Sequence, residues 1–410
     1  MDLFEKCREF YTNPESAQKF GYPMTPQQAK AMGLFPYFIP IDQAEGPDAV
    51  IDGKHYIMIG SNNYLGLTVH PKVKEAAIAA IRKFGTSCTG SRFLNGTLHM
   101  HIELEEKLAA FVGQEAALVY STGFQVNLGS IPAVMDQNDI IITDRDVHAS
   151  IVDGVRMAKV SKSAHVRHFK HNDPADLEKI LAGLPAEPGK LVIIDGVYSM
   201  GGDIAPLPEI IRVCKAHGAR LFCDDAHSLG VLGGGRGTGA HFHMEKDVDL
   251  VMGTFSKSFA AVGGFVAGPK EVISWIQMFS RPFIFSASLP PANVATVLAC
   301  LDVIKEEPER IDRLAAIGAR MRKELRGMGY NIGPTETPII PIVIGDQFKA
   351  LKAWKVFFDE GIYANVALPP AVTPEFSCLR TSYMATHTDA QLDRVLEVFD
   401  KVKHQVHIGE

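Results

Sequence analysis

What this sequence lacks narrows it first. Its six cysteines, Cys7, Cys88, Cys214, Cys223, Cys300 and Cys378, never form a CxxC pair. Scattered in this way they read as reduced thiols of a cytoplasmic protein. No apolar run is long enough to span a bilayer. The opening residues Met1-Asp2-Leu3-Phe4-Glu5-Lys6 do not have the form of a signal peptide. The formal net charge of -6 supplies no basic footprint for nucleic acid. There is no internal repeat and no low-complexity tract. The glycine motifs of nucleotide binding also fail. Gly235-Arg236-Gly237-Thr238-Gly239-Ala240 has the dinucleotide spacing, yet it stands well past the strand that ends at Asp224, and no helix opens on it. Lys257-Ser258 lacks the glycines of a Walker loop. His99/His101 and His241/His243 are spaced as strand ligands. Neither pair has a third ligand, so packing or surface roles are expected and no metal.

What is present is an ordinary globular chain of 410 residues, 46% hydrophobic and 21% charged. That length predicts two or three domains, or a large domain with a smaller partner. Residues 1–50 are mixed and proline-bearing and read as an arm laid over another surface. Within them Leu34-Phe35-Pro36-Tyr37-Phe38-Ile39-Pro40 suits core or dimer packing better than contact with a membrane surface. From Pro71 onward helical segments alternate with short apolar runs: Ala117–Tyr120, Ile140–Ile142, Leu191–Ile194, Leu221–Phe222, Leu250–Met252 and Gly264–Ala267. Helical periodicity is expected over Val73–Phe84, Leu104–Val112 and Val126–Val134. Continuous apolar strands separated by helices predict an α/β fold, with a mostly parallel sheet covered on both faces. Past Ser288 the pattern changes. A long helical stretch, Ala292–Met328 with a break at Pro308, is followed by a strand at Ile339–Ile344 and helices at Lys349–Glu360 and Asp389–Val402. The expected domains are therefore 1–50, 51–290 and 291–410.

The chemistry concentrates at strand ends. Gly253-Thr254-Phe255-Ser256-Lys257-Ser258 places one lysine among small and hydroxylated residues, directly after the apolar run Leu250–Met252. Surface lysines usually keep polar company. One held in a partly dry pocket loses proton affinity, and its neutral amine can form a Schiff base with an aldehyde. The run that ends at Asp224 puts an acid where α/β sheets collect their chemistry, suited to pairing with a pyridinium nitrogen. His227 lies three residues on. Taken singly, Asp224 is more often a helix cap and His227 an ordinary loop histidine. Ser121-Thr122-Gly123-Phe124-Gln125 lies between a strand and a helix, where backbone N–H groups suit a phosphate. Asp144–Ser150 carries His148 after another strand, and Asp195–Met200 carries Ser199. Each is unremarkable alone. Five strand ends aimed at one crevice is the anatomy of a cofactor site.

With those residues in view the chain resembles the α-oxoamine synthases, fold-type I pyridoxal-phosphate enzymes. The likeness runs from Gly60-Ser61-Asn62-Asn63-Tyr64-Leu65-Gly66-Leu67 to Arg380-Thr381-Ser382-Tyr383-Met384-Ala385-Thr386-His387. Thr89–Thr97, Ser121–Asn127 and Gly253–Ala260 are most similar to the branch that joins serine to a long-chain acyl-CoA. The resemblance implies pyridoxal 5'-phosphate bound to Lys257, with Lys257 also moving the Cα proton. It implies Asp224 on the pyridinium nitrogen, His227 on the phenolic oxygen with Ser199 nearby, and His148 stacked on the ring. It implies a phosphate held by Gly123, Phe124, Thr254 and Ser256, with Ser286 reaching in from the second subunit of a homodimer whose active site lies at the interface. Asn63 and Arg380 would contact the amino acid or the acyl-CoA. One departure stands out: several relatives carry an arginine before the Pro-Pro of the carboxy-terminal domain, where this chain has Leu368 before Pro369-Pro370. That leaves carboxylate handling to Arg380. Sister activities using glycine or alanine, and a non-catalytic partner subunit, are the alternatives.

Overall fold

The computed structural model describes residues 2–406, so Met1 and the last four residues of the expected carboxy-terminal domain lie outside the described residues. The chain forms two compact units. The larger comprises Asn63–Ser199 and Asp203–Asp312; the smaller comprises the residues up to Asn62, Met200–Gly202 and those from Arg313 onward.

The larger unit is built on seven strands: β1 (Ala116–Tyr120), β2 (Ile140–Asp144), β3 (His165–Phe169), β4 (Lys190–Asp195), β5 (Arg220–Asp224), β6 (Leu250–Thr254) and β7 (Gly264–Gly268). Their spatial order is β1-β7-β6-β5-β4-β2-β3. Pairings from β6 through β3 are parallel, and β7 runs antiparallel between β1 and β6. The apolar runs explain the layers. Successive strand side chains face opposite ways, so Ile141, Ile193, Phe222 and Met252 enter one core while Ile140, Ile142, Val192, Ile194, Leu221 and Val251 enter the other. On the first face they meet α1 (Gly123–Val134) and α2 (Ala149–Lys162) through Val126, Ile131, Ile151 and Val155. On the second they meet Leu177, Leu181, Ile210 and Ile211 of the helices Pro174–Ala182 and Leu207–Ala216. Each large apolar side chain buried in this way contributes about 1.5–3 kcal/mol. The exception is β3, whose His165, Arg167 and His168 are exposed at the sheet edge. An edge strand needs no continuous apolar run, which is why none marked it.

The helical stretch expected up to Met328 is two helices, Pro291–Glu306 and Glu309–Gly327, parted at Pro308. The first packs along the helix Pro71–Phe84 and so belongs to the larger unit. The unit boundary therefore falls at Asp312/Arg313, where composition alone had suggested 290/291.

The smaller unit contains the antiparallel strands Ile339–Val343, Cys378–Ser382 and Asn365–Ala367 in that spatial order, with the helices Gln347–Asp359 and Asp389–Val406. Its core gathers Trp354, Phe357, Leu379, Tyr383 and Phe399 with Met24, Ala29 and Leu34. Part of the expected arm is thus core of this unit. Pro at the first turn and the Thr25–Gln28 capping box start its helix Pro26–Ala31, while Phe38 stays 93% exposed. No described helix is long and apolar enough to cross a membrane.

Candidate active site

The carboxyl ends of the central strands lie in register. Asp195 on β4 is the Cα partner of Asp224 on β5, and Asp224 is the partner of Met252 on β6. A cavity of about 250 Å³ opens beyond them in the larger unit. It is lined by Gly123, Phe124, His148, Asp224, His227, Thr254, Ser256 and Lys257, all expected site residues, and also by Ser150 and Asp195.

One wall is an anion cradle. β1 ends at Tyr120, and α1 opens with Thr122, whose hydroxyl accepts from the Gln125 amide at 3.2 Å. The first N–H groups of a helix have no partner within it and point outward. Gly264 of β7 stands opposite both Tyr120 and Thr254, so no side chain separates the helix start from the end of β6. Gly123 completes the fit: a Cβ there would lie 2.9 Å from the Thr254 Cβ. Thr254 Oγ1 and Ser256 Oγ sit 3.0 Å apart beside this opening.

The lysine is held by its neighbours. Phe255 and Phe259 are fully buried on either side. The Ser258 hydroxyl donates to the Leu229 carbonyl at 2.8 Å, and the Ala260 amide closes a turn onto the Lys257 carbonyl at 3.1 Å. Between these anchored flanks, half-buried Lys257 lines the cavity.

Asp224 is 3% exposed. Its Oδ2 accepts from Asn127 Nδ2 at 2.7 Å, and its Oδ1 from the Ala226 amide at 3.0 Å. Each carboxylate oxygen can accept a further donor. Asn127 Nδ2 also donates to Ser150 Oγ at 2.9 Å, and that hydroxyl lies 2.7 Å from His148 Nδ1. His148 caps α2 with its own ring, since the Ser150 amide donates to Nδ1 at 3.2 Å. Desolvation by the surrounding protein pulls this imidazole below its ordinary range; Asp224 opposes the shift and the Lys257 charge adds to it. The Asp195 carboxyl is pushed well above the usual carboxylate range, first by burial and then by the Asp224 charge. His227 is buried, with Nδ1 2.7 Å from the hydroxyl of fully buried Tyr64.

The other expected residues lie outside the cavity lining. Ser199 is half-buried two residues past Val197, which does line it. Ser286 Oγ accepts from Gln125 Nε2 at 3.0 Å, and the Ser121 hydroxyl donates to the Ala287 carbonyl, so this segment lies against the start of α1 in its own chain. Asn63 donates to Thr68 Oγ1 at 2.8 Å. Arg380 belongs to the smaller unit, on the strand Cys378–Ser382, buried, with Nη2 3.0 Å from Asn62 Oδ1. His99 and His101 sit on the helix His99–Val112 and not on a strand. His101 is packed inside with Nε2 2.9 Å from the Leu289 carbonyl, and burial brings it down to about 4.

The aminotransferase class I and II family matches residues 54–399 of this chain. The chain belongs to that family. A serine palmitoyltransferase of Bacteriovorax stolpii is 48% identical over 372 residues, 90% of this chain and 88% of that protein. An 8-amino-7-oxononanoate synthase of Thermoanaerobacter pseudethanolicus is 40% identical over 384 residues, 93% and 96% of the two chains. A solved structure described as SPT with PLP internal aldimine matches with a TM-score of 0.92 at 38% identity, covering 100% of both chains. The fold is that of the fold-type I pyridoxal-phosphate transferases.

The cavity of this family member suits that cofactor on its own geometry. The cradle that only a glycine at 123 keeps open offers N–H and hydroxyl donors for a phosphate. A buried carboxylate with capacity for another donor, Asp224, and the amine of Lys257 line the same cavity, groups that could pair with a ring nitrogen and an aldehyde. Four contributors were not singled out in the sequence. Asp195 ends an apolar run as Asp224 does, and that parallel was the available signal. Asn127 is a buried amide inside an apolar helix, where asparagine is disfavoured. Ser150 and Tyr64 carried no local signal, because their roles depend on which elements become neighbours.

Proposed function

We propose that this chain is a pyridoxal-phosphate-dependent acyltransferase. It condenses L-serine with a long-chain acyl-CoA such as palmitoyl-CoA, giving 3-ketodihydrosphingosine, CoA and CO2, the first step of sphingolipid synthesis. The observation that carries the reading is the single cavity that Lys257, Asp224, His148 and His227 share with the Gly123/Thr254 cradle. Serine palmitoyltransferases among the relatives, at 46–48% identity, favour serine as the acceptor over the substrates of the 40% identical synthase.

Bound here, pyridoxal phosphate supplies an electron sink for the bonds broken at the substrate Cα. Lys257 Nζ would anchor it covalently. Its amine would also move the substrate Cα proton, a general acid–base task suited to a partly desolvated lysine. Asp224 would keep the ring nitrogen protonated. His227, steadied by Tyr64, would donate to the phenolic oxygen, with Ser199 assigned nearby on resemblance. His148, which lines the same cavity, would pack against the ring and orient the substrate carboxylate. The Gly123 and Phe124 amides and the Thr254 and Ser256 hydroxyls would take the phosphate; Ser286, beside the start of α1 in its own chain, is assigned to the second copy's phosphate in a homodimer on resemblance alone. Asn63 and Arg380 are assigned to substrate on resemblance. The protein works in the cytoplasm, with peripheral membrane contact as a route for its lipid product.

A panel of amino acids against acyl-CoAs of graded length, read by CoA release, tests the reading. Serine with long chains should lead. Equal rates with glycine or alanine would move the chain to a sister activity of the 2-amino-3-ketobutyrate CoA ligase or 8-amino-7-oxononanoate synthase type. No turnover with any pair would leave a non-catalytic partner subunit.

A further inference from the structure

We propose that Asn127 and Ser150 are positioning residues that fix His148 as a neutral imidazole with its proton on Nε2, referencing the ring to Asp224. The hydrogens at the site can be counted. Asn127 Nδ2 has two: one goes to Asp224 Oδ2 at 2.7 Å and the other to Ser150 Oγ at 2.9 Å. The Ser150 oxygen thus accepts, and because the Ser150 amide already makes His148 Nδ1 an acceptor, its single proton goes to that nitrogen, 2.7 Å away. The Ser150 amide donates to the same nitrogen at 3.2 Å. A ring nitrogen facing two donors is an acceptor, which puts the imidazole proton on Nε2.

The orientation of the Asn127 amide is not arbitrary. Turned over, its oxygen would face the Asp224 carboxylate and deprive Ser150 of a donor. As placed, Asn127 Oδ1 is buried with no hydrogen-bond partner among the described residues. A buried orphan acceptor is costly, and one in a native site calls for a reason. Keeping both N–H groups on Asp224 and Ser150 is that reason. A second observation is independent of this count. Gly154 lies one turn beyond Ser150 on α2, and a Cβ there would fall 2.6 Å from the Asn127 carbonyl. The glycine lets α2 close onto α1, which is what brings Ser150 to Asn127.

The charged and titratable groups around His148 come from three elements: Asp224 at the end of β5, Lys257 after β6, and Asp195 at the end of β4, whose Oδ1 lies 3.4 Å from the His148 amide. Asp224 favours the imidazolium. The donors on Nδ1 oppose it without adding charge. If the proposed reaction holds, the Nε2–H is the donor offered to a substrate carboxylate. The inference itself rests on the chain's own bonds and is read without substrate.

The test is NMR of the full-length holoprotein labelled with 15N-histidine, the His148 ring being assigned by subtraction with His148→Gln. Expected are an unprotonated Nδ1, a protonated Nε2, and an apparent pKa below the ordinary value. Ser150→Ala should mix the tautomers and raise the ring pKa, and Ser150→Thr should restore both. Asn127→Leu should do as Ser150→Ala does; if it fails to fold, the serine pair decides alone. In turnover, Ser150→Ala should raise KM for the amino acid more than it lowers kcat. A protonated Nδ1 in the parent protein overturns the proposal, as does an unchanged tautomer and pKa in folded Ser150→Ala. These outcomes are independent of which substrate the enzyme prefers.

Discussion

Two histidines near the end of β2 stand among acids and meet opposite fates. His171 has Nδ1 3.1 Å from Asp144 and Nε2 2.8 Å from Asp203, so a carboxylate faces each ring nitrogen. Both nitrogens then carry protons. Burial works against that charge, but the hydrogen bonds and charges of Asp144 and Asp203 outweigh it and push His171 up to about 10. His148 has donors on Nδ1 and falls below its ordinary range. One ring is an ion-paired keystone whose two nitrogens are both taken by acids. The other lines a cavity with Nε2 as its donor. The residue type is the same, and the hydrogens and lone pairs facing each nitrogen make the difference.

Breaking the cavity cluster should have the largest effect. Asp224→Asn replaces a carboxylate with an amide that cannot favour a protonated ring nitrogen. Turnover measured by CoA release should fall by about 10²–10³-fold or more, with circular dichroism unchanged. Breaking the keystone should instead be felt in stability. His171→Ala removes the counter-charge from the fully buried Asp144 carboxylate, leaving it the Asp146 and Asn172 amides, and should cost about 2–3 kcal/mol, read by urea unfolding.

The pH dependence of stability separates the two rings by sign. The folded-state pKa of His171 stands above its unfolded value of about 6.5, so its contribution is complete below that pH. It is lost as pH rises through about 10. The pKa of His148 is depressed, so the unfolded chain binds that proton more readily. Its contribution is present above about pH 6.5 and is lost on acidification. The parent's advantage in melting temperature over His171→Gln should therefore shrink as pH rises toward about 10, and its advantage over His148→Gln should shrink on acidification below about pH 6.5. At the small end is an exposed ion pair, Lys72–Glu306 at 2.7 Å. Solvent screening leaves such a pair little to contribute, and Glu306→Gln should shift stability by less than about 1 kcal/mol.

This contrast also marks how far the sequence was legible. The central strands were readable because both faces of β2, β4 and β6 are buried, which forces unbroken apolar runs. β3 was not, since only Phe169 among its residues is buried. Lys257, Asp224 and His227 stood out locally, as a lysine in small-residue company and an acid ending an apolar run. His171 gave no sign at all. Its partners Asp144 and Asp203 lie 27 and 32 residues away in the chain, joined only by the packing of loops at the strand ends. Asp195 and Asp224 become neighbours because β4 pairs with β5, and strand order is not written in any short motif.

The claim on which the rest depends is that Lys257 is the covalent anchor of the cofactor. Borohydride reduction of the purified protein, followed by peptide mapping, tests it most directly. The visible absorption band should vanish, and a phosphopyridoxyl group should appear on Lys257. A band that survives reduction, or a label on any other lysine, would contradict the account.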